Sequence, residues 1–169
     1  MLQFAMAMAY TQHSAVHNAL ADMIILAFCF LLHPGEYVLS NSEYAAPFHL
    51  QEVHLFSGNF KLDLLHTPKA TLWGTTYVGL EFMNKKNGVK GKIIGLGKSG
   101  SDVWCPVLAS IHCIIALHHD NAKLTTTLHA YKCNDQWWGI AASHITSQVH
   151  AAAQAMGTQY GINAPDISA

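Results

Sequence analysis

A long apolar stretch that stops at a proline is the feature that most constrains the fold of this chain. Apolar residues recur at steps of three and four over residues 16–31, which is typical of a helix with a buried face. Pro34 has no backbone N–H to donate and disfavours helical ψ at His33, so this helix must end before Pro34. The sequence therefore predicts a helix over residues 15–32, with Ser14 as its N-cap.

The residues that follow predict a corner between two helices. Pro34 suits the first position of a second helix, predicted over residues 34–40, and Glu36 then lies in a first turn that favours negative charge. The His33 side chain should lie at the junction, in front of a packed layer formed by Phe28, Phe30 and Leu32. Two interpretations stand at this point. One is a helix-breaking corner with a partly exposed histidine, and the other is a binding site.

Composition predicts one globular domain with little charge on it. The chain has 169 residues, of which 51% are hydrophobic and only 11% are charged, whereas about 25% is usual. All nine basic residues are lysines, twelve histidines accompany them, and the net charge is −1. A net charge this small offers no general attraction for nucleic acid or for an anionic membrane.

The cysteines and the apolar runs give information about the cellular location of the protein. The four cysteines form no C-x-x-C pair, and the first residues lack the basic region of a secretory signal. The longest apolar run, residues 23–32, has ten residues, whereas about 20 are needed to span a bilayer. We expect no membrane association and an intracellular location, with the nucleus as one option.

Two hairpins are predicted in the middle of the chain. Alternating residues near 50–55 and 60–64 flank Ser57-Gly58-Asn59, and residues 77–82 and 89–96 flank Asn87-Gly88, the favoured two-residue turn. The predicted fold class is therefore α+β, mainly helical, with a small antiparallel sheet of three or four strands.

The second hairpin concentrates the positive charge of the chain. More than half of the lysines lie within fourteen residues there: Lys85, Lys86, Lys90, Lys92 and Lys98. This cluster predicts a basic face, which can neutralise phosphates in a chain whose net charge offers no general attraction. The alternative interpretation is a solvated hairpin tip whose lysines discourage edge-to-edge pairing.

The last third of the chain carries weaker signals. A helix should begin at Cys105-Pro106, and residues 120–142 should be loops anchored by Trp137 and Trp138. A final helix should be capped by Ser143, with Gly157 as its C′ residue. Three potential metal ligands recur every seven positions along this part of the chain: Cys105, His112 and His119. That spacing chelates poorly, because helical ligands lie three or four residues apart, so no metal and no cofactor is predicted.

Two stretches resemble signatures of the tyrosine recombinase (phage integrase) family, in the version carried by eukaryotic mobile elements. Residues 28–40 resemble its first signature, and His33 stands where that family has the first of two catalytic arginines. Residues 82–97 resemble its second signature, in which a lysine at a hairpin tip is the general acid. Lys86 is the matching position, with Lys85 as the alternative if the register differs by one. His112 and His150 also stand where the family often carries arginine.

The resemblance implies a partial catalytic domain over residues 15–169, preceded by a segment over residues 1–14. The second arginine motif and the tyrosine nucleophile are expected to be missing. The implied function is that of a truncated domain associated with DNA recombination and integration, catalytically inactive as given, which binds DNA weakly. Members of the family self-associate, which the sequence does not address. The alternative is a non-catalytic DNA-binding or protein-interaction module that retains the fold. If the resemblance holds, His33 and Lys86 should lie on one concave surface.

Overall fold

The structure, a computed structural model, describes residues 14–39, 47–83 and 91–160, with side chains as far as residue 155. Its helices are α1 (Ala15–Phe30), α2 (Pro34–Tyr37), α3 (Lys69–Leu72), α4 (Pro106–His119) and α5 (Ala142–Tyr160), with a 3₁₀ turn at Leu50–Glu52. Its strands are β1 (Val53–Ser57), β2 (Phe60–Lys61), β3 (Tyr77–Phe82), β4 (Lys92–Gly97), β5 (Ala130–Cys133) and β6 (Gln136–Gly139). The predicted α+β class with a small antiparallel sheet is confirmed.

The main sheet has four antiparallel strands in the order β2-β1-β3-β4. Both predicted hairpins are present, but the strands of the first differ from the predicted 50–55 and 60–64, because β1 begins only after the 3₁₀ turn and β2 ends at Lys61. The first turns at Gly58, whose φ of 57° suits glycine. The second pairs β3 with β4 from Tyr77↔Gly97 to Phe82↔Lys92, so its return strand is displaced towards the C-terminus from the predicted 89–96. The Asn87-Gly88 turn lies outside the described residues.

The core forms where α1 packs against α4 and α4 packs against β3 and β4. Seven consecutive residues of α1, from 20 to 26, are all buried, so the middle of this helix contacts protein on every side. The apolar residues that α4 buries between these elements include Val107, Ala109, Ile111, Ile114 and Leu117. Each valine, isoleucine or leucine side chain among them contributes about 1.5–3 kcal/mol by leaving water. No helix among the described residues has the length and apolar character needed to cross a bilayer.

The end of α1 differs from the prediction. The helix stops at Phe30, because Leu31 adopts the left-handed conformation with φ 54°. The Leu32 N–H then donates to Ala27 O at 2.9 Å, the bond that closes a Schellman motif. Phe28, expected to pack, is 55% exposed and contacts the Trp104 ring. The second helix is also shorter than predicted, since it ends at Tyr37.

The prediction of loops over residues 120–142 is wrong. Strands β5 and β6 form a separate two-stranded hairpin. Asn134 and Asp135 both have positive φ, at 49° and 60°, as a type I′ turn requires. The sequence hid these strands because neither face is fully buried, so no clean alternation marks them. Trp137 and Trp138 are exposed on β6 and do not anchor the core.

The predicted boundaries of the last helix are also wrong. Ser143 lies inside the first turn of α5, and the His144 ring takes the capping role by accepting the Ala141 N–H at Nδ1, 3.2 Å away. The backbone stays helical through Gly157 to Tyr160. Glycine is only modestly unfavourable inside a helix, so one glycine does not end it.

The left-handed Leu31 generates a stability prediction. A non-glycine residue in this conformation costs roughly 1 kcal/mol, and the Leu31 side chain is 84% exposed and has little packing to lose. We expect Leu31→Gly to raise the free energy of unfolding by about 0.5–1 kcal/mol in urea denaturation. Leu124→Gly is the control, because Leu124 is exposed and has no positive φ, and it should destabilise. A destabilised Leu31→Gly would contradict the strain argument.

Candidate functional site

His33 lies at the surface, at the start of α2. It is the N-cap residue of that helix, in extended conformation with φ −74° and ψ 149°. Its backbone N–H donates to Glu36 Oε2 at 2.9 Å, and the Glu36 N–H donates back to His33 O at 2.8 Å. The backbone of the corner is thus fixed by its own hydrogen bonds, and the side chain of His33 is exposed to solvent.

A short series of contacts connects this corner to the second hairpin. The Phe48 N–H donates to Glu36 O at 3.1 Å, and the Phe48 ring meets the Phe82 ring edge-on, with centroids 5.0 Å apart. Phe82 is the last residue of β3 and pairs directly with Lys92. Lys92 therefore lies at the end of the sheet that faces the His33 corner. We call the exposed side chains of His33 and Lys92, which the buried rings of Phe48 and Phe82 connect, the corner–hairpin surface.

The other predicted lysines are placed differently or are not described. Lys98 follows the far end of β4, six residues from Lys92, or about 20 Å along the strand. Its Nζ donates to Trp73 O at 3.4 Å, so it lies beside the end of α3. Lys85, Lys86 and Lys90 lie outside the described residues. The expected common surface of His33 and Lys86 therefore stays a prediction.

A second polar feature was missed from the sequence. Asp22, on the buried helix α1, has a side chain only 3% exposed, and its Oδ1 lies 3.1 Å from His112 Nδ1 on α4. The hydrogen bond from Asp22 raises the pKa of His112 above its ordinary value, against the opposing effect of burial. Burial, together with the charge of Asp22, also raises the pKa of Cys113 well above its usual range. Cys113 is thus a protonated core thiol.

The Asp22–His112 pair lies in the wall of a cleft of about 710 Å³. Residues of α1, α3, α4 and β5 line it, together with Trp73, which caps the C-terminus of α3. The Trp73 and His112 rings meet edge-on at 5.5 Å. Among the residues that the structure describes, no three His, Cys, Asp or Glu side chains come together as a metal site would require.

The sequence contains one weak indication of this pair. Asp22 is the single acidic residue in the apolar stretch over residues 16–31. A carboxylate buried in a helix needs a charged or hydrogen-bonding partner, so the sequence indicated that a partner should exist. It did not indicate which one, because His112 lies 90 positions away and twelve histidines were available.

The pair generates a prediction about titration. Because the folded pKa of His112 is raised, the stability from this pair is complete below about pH 6.5. That stability is lost as the pH rises through the raised pKa. Asp22→Asn removes the charge that favours the imidazolium, so the pKa of His112 should fall, as measured by NMR titration. Asp102→Asn, an exposed control, should leave it unchanged. An unchanged pKa in folded Asp22→Asn would contradict the assignment.

Comparisons with models of protein families, with curated proteins and with solved structures found no match to this chain.

Proposed function

We propose that this chain is a tyrosine-recombinase-like domain, associated with DNA recombination and integration, that binds duplex DNA at the corner–hairpin surface without cleaving it. The observation that carries the proposal is the set of contacts from Glu36 through Phe48 and Phe82 to Lys92. These contacts connect the first stretch that resembles a recombinase signature with Phe82 and Lys92 of the second stretch. Residues that grip one phosphate must converge in this way.

Electrostatics limits the affinity. The chain carries a net charge of −1, so attraction to DNA depends on the local group of lysines in and beside the second hairpin. Lys92 belongs to that group, is exposed and pairs with Phe82, whose ring contacts Phe48. Binding through a few lysines is weak, indifferent to base sequence and strongly salt-dependent.

The residue at the corner argues against cleavage by this chain. Arginine is always charged and grips phosphate with a two-pronged fork, and a histidine ring has no such fork. A tyrosine nucleophile is also required, and none of the six tyrosines is followed by the motif expected of it. Electrostatic groups stabilise a transition state only when an attacking group exists to form it.

A protein-interaction module is the second candidate. The observation that favours it is an apolar groove of about 390 Å³ along the C-terminal half of α1, which Leu31, Leu32, Tyr37 and Ile145 help to line. Phe28 and Leu31 are large apolar side chains exposed along this groove. Monomeric proteins usually keep such surface small.

DNA binding can be tested by fluorescence anisotropy over a salt series. With about four or five phosphate contacts, the slope of log K against log salt should be roughly −4. Lys86→Ala combined with Lys90→Ala should weaken binding to unrelated duplexes equally, and Lys92→Ala should add to the loss. Lys123→Ala, an exposed lysine after α4, is the matched control. Tight binding, or binding indifferent to these changes, would refute the corner–hairpin interface.

Cleavage can be tested with a suicide DNA substrate that traps covalent protein–DNA adducts. We expect no adduct from the 169-residue chain, and none from His33→Arg, although that change should tighten DNA binding about two- to tenfold by adding a fixed charge. An adduct that disappears when one tyrosine is changed to phenylalanine would show that the chain is an active enzyme.

A further inference from the structure

We propose that the cleft beside the Asp22–His112 pair binds a small organic anion, whose planar apolar body rests on Trp73 and whose charged group meets Lys69 and His112. This site is separate from the corner–hairpin surface and does not depend on DNA binding. The ligand class follows from the size of the cleft, the sign of the charge in its walls and the position of one indole ring.

The size and lining of the cleft suit a small molecule. Its volume is about 710 Å³, inside the roughly 300–1,000 Å³ usual for ligand pockets. The walls are mostly apolar, and the apolar residues come from three elements and the loop before β5: Ala15, Ala19, Ile115, Ala116, Leu128 and Ala130. A few polar groups project among them, which is the pattern by which pockets fix the orientation of a ligand.

Lys69 supplies exposed positive charge to the wall of the cleft. The second lysine of the lining, Lys132, is ion-paired with Asp135 at 3.1 Å. The two carboxylates that line the cleft each lie 3.1 Å from a histidine nitrogen, Asp22 from His112 and Asp120 from His119. Asp22 is also withdrawn from the surface, whereas the His112 side chain is 37% exposed. A ligand in the cleft therefore meets the His112 imidazole and the Lys69 ammonium group before it meets Asp22.

The position of Trp73 restricts the shape of the ligand. Trp73 follows Lys69 by four positions, and its N–H donates to Lys69 O at 3.4 Å, so both side chains project from the same face of one helical turn. The indole is 47% exposed and its ring meets the His112 ring at 5.5 Å. A cation, an aromatic surface and an imidazole thus lie side by side. That arrangement suits a flat ring bearing an anionic group.

The anionic group has two chemical sources, a carboxylate or a phosphate, and two probes distinguish them. Isothermal titration calorimetry with the intact chain should give a Kd below about 1 mM for 2-naphthoate or for adenosine monophosphate. The tighter probe identifies the source. Neutral 2-naphthamide has the same ring without the charge and should bind at least tenfold more weakly. If the amide binds as well as the carboxylate, the cleft is only an apolar depression and the proposal is overturned.

Variants locate the site. Lys69→Gln and Trp73→Leu change exposed side chains, so the fold should persist, and each should weaken binding of the better probe about tenfold. The matched controls are Lys123→Gln and Trp137→Leu, which lie outside the cleft and should change the affinity less than twofold. Equal losses in the controls would refute the site. So would the absence of binding by either anion at about 10 mM, roughly ten times the expected Kd.

Discussion

The burial of residues 20–26 of α1 on every side is the constraint from which the rest of the structure follows. A helical segment that contacts protein all round cannot expose a polar stripe, so the single carboxylate within it has to be compensated inside the fold. Asp22 meets His112 of α4 at 3.1 Å, and α4 is the helix that α1 packs against most extensively. The polar pair therefore fixes the same helix pair that the hydrophobic effect brings together.

The two candidate sites lie at opposite ends of this one helix. The N-terminal half of α1 supplies Ala15, Ala19 and Asp22 to the wall of the cleft, whereas its C-terminus leads through Leu31 into the His33 corner. The helix has sixteen residues and is about 24 Å long. It therefore separates the two sites. A rigid buried helix is suited to this task, because side chains next to a packed element keep their positions without help from a ligand.

The chain has many histidines and no arginine, so part of its positive charge depends on the surroundings of each histidine. Arginine is charged in any environment, but the charge of histidine depends on what surrounds it. Asp22 raises the pKa of His112, whereas burial lowers the pKa of His129 and of His118. Residues of one type thus have different charges at the same pH. The positive charge of each surface cannot be counted from composition alone.

The sequence by itself determined the elements whose signals are local. The apolar periodicity of α1, the Pro34 corner, the strands on either side of Gly58 and the Cys105-Pro106 helix start all depend on neighbouring residues, and each was predicted close to its observed position. The tertiary structure alone decided the features that join distant residues. These include the Asp22–His112 pair and the edge-on contact between the Phe48 and Phe82 rings. The physical reason is that a local pattern records which face of an element is apolar, whereas only packing selects the partner that covers it.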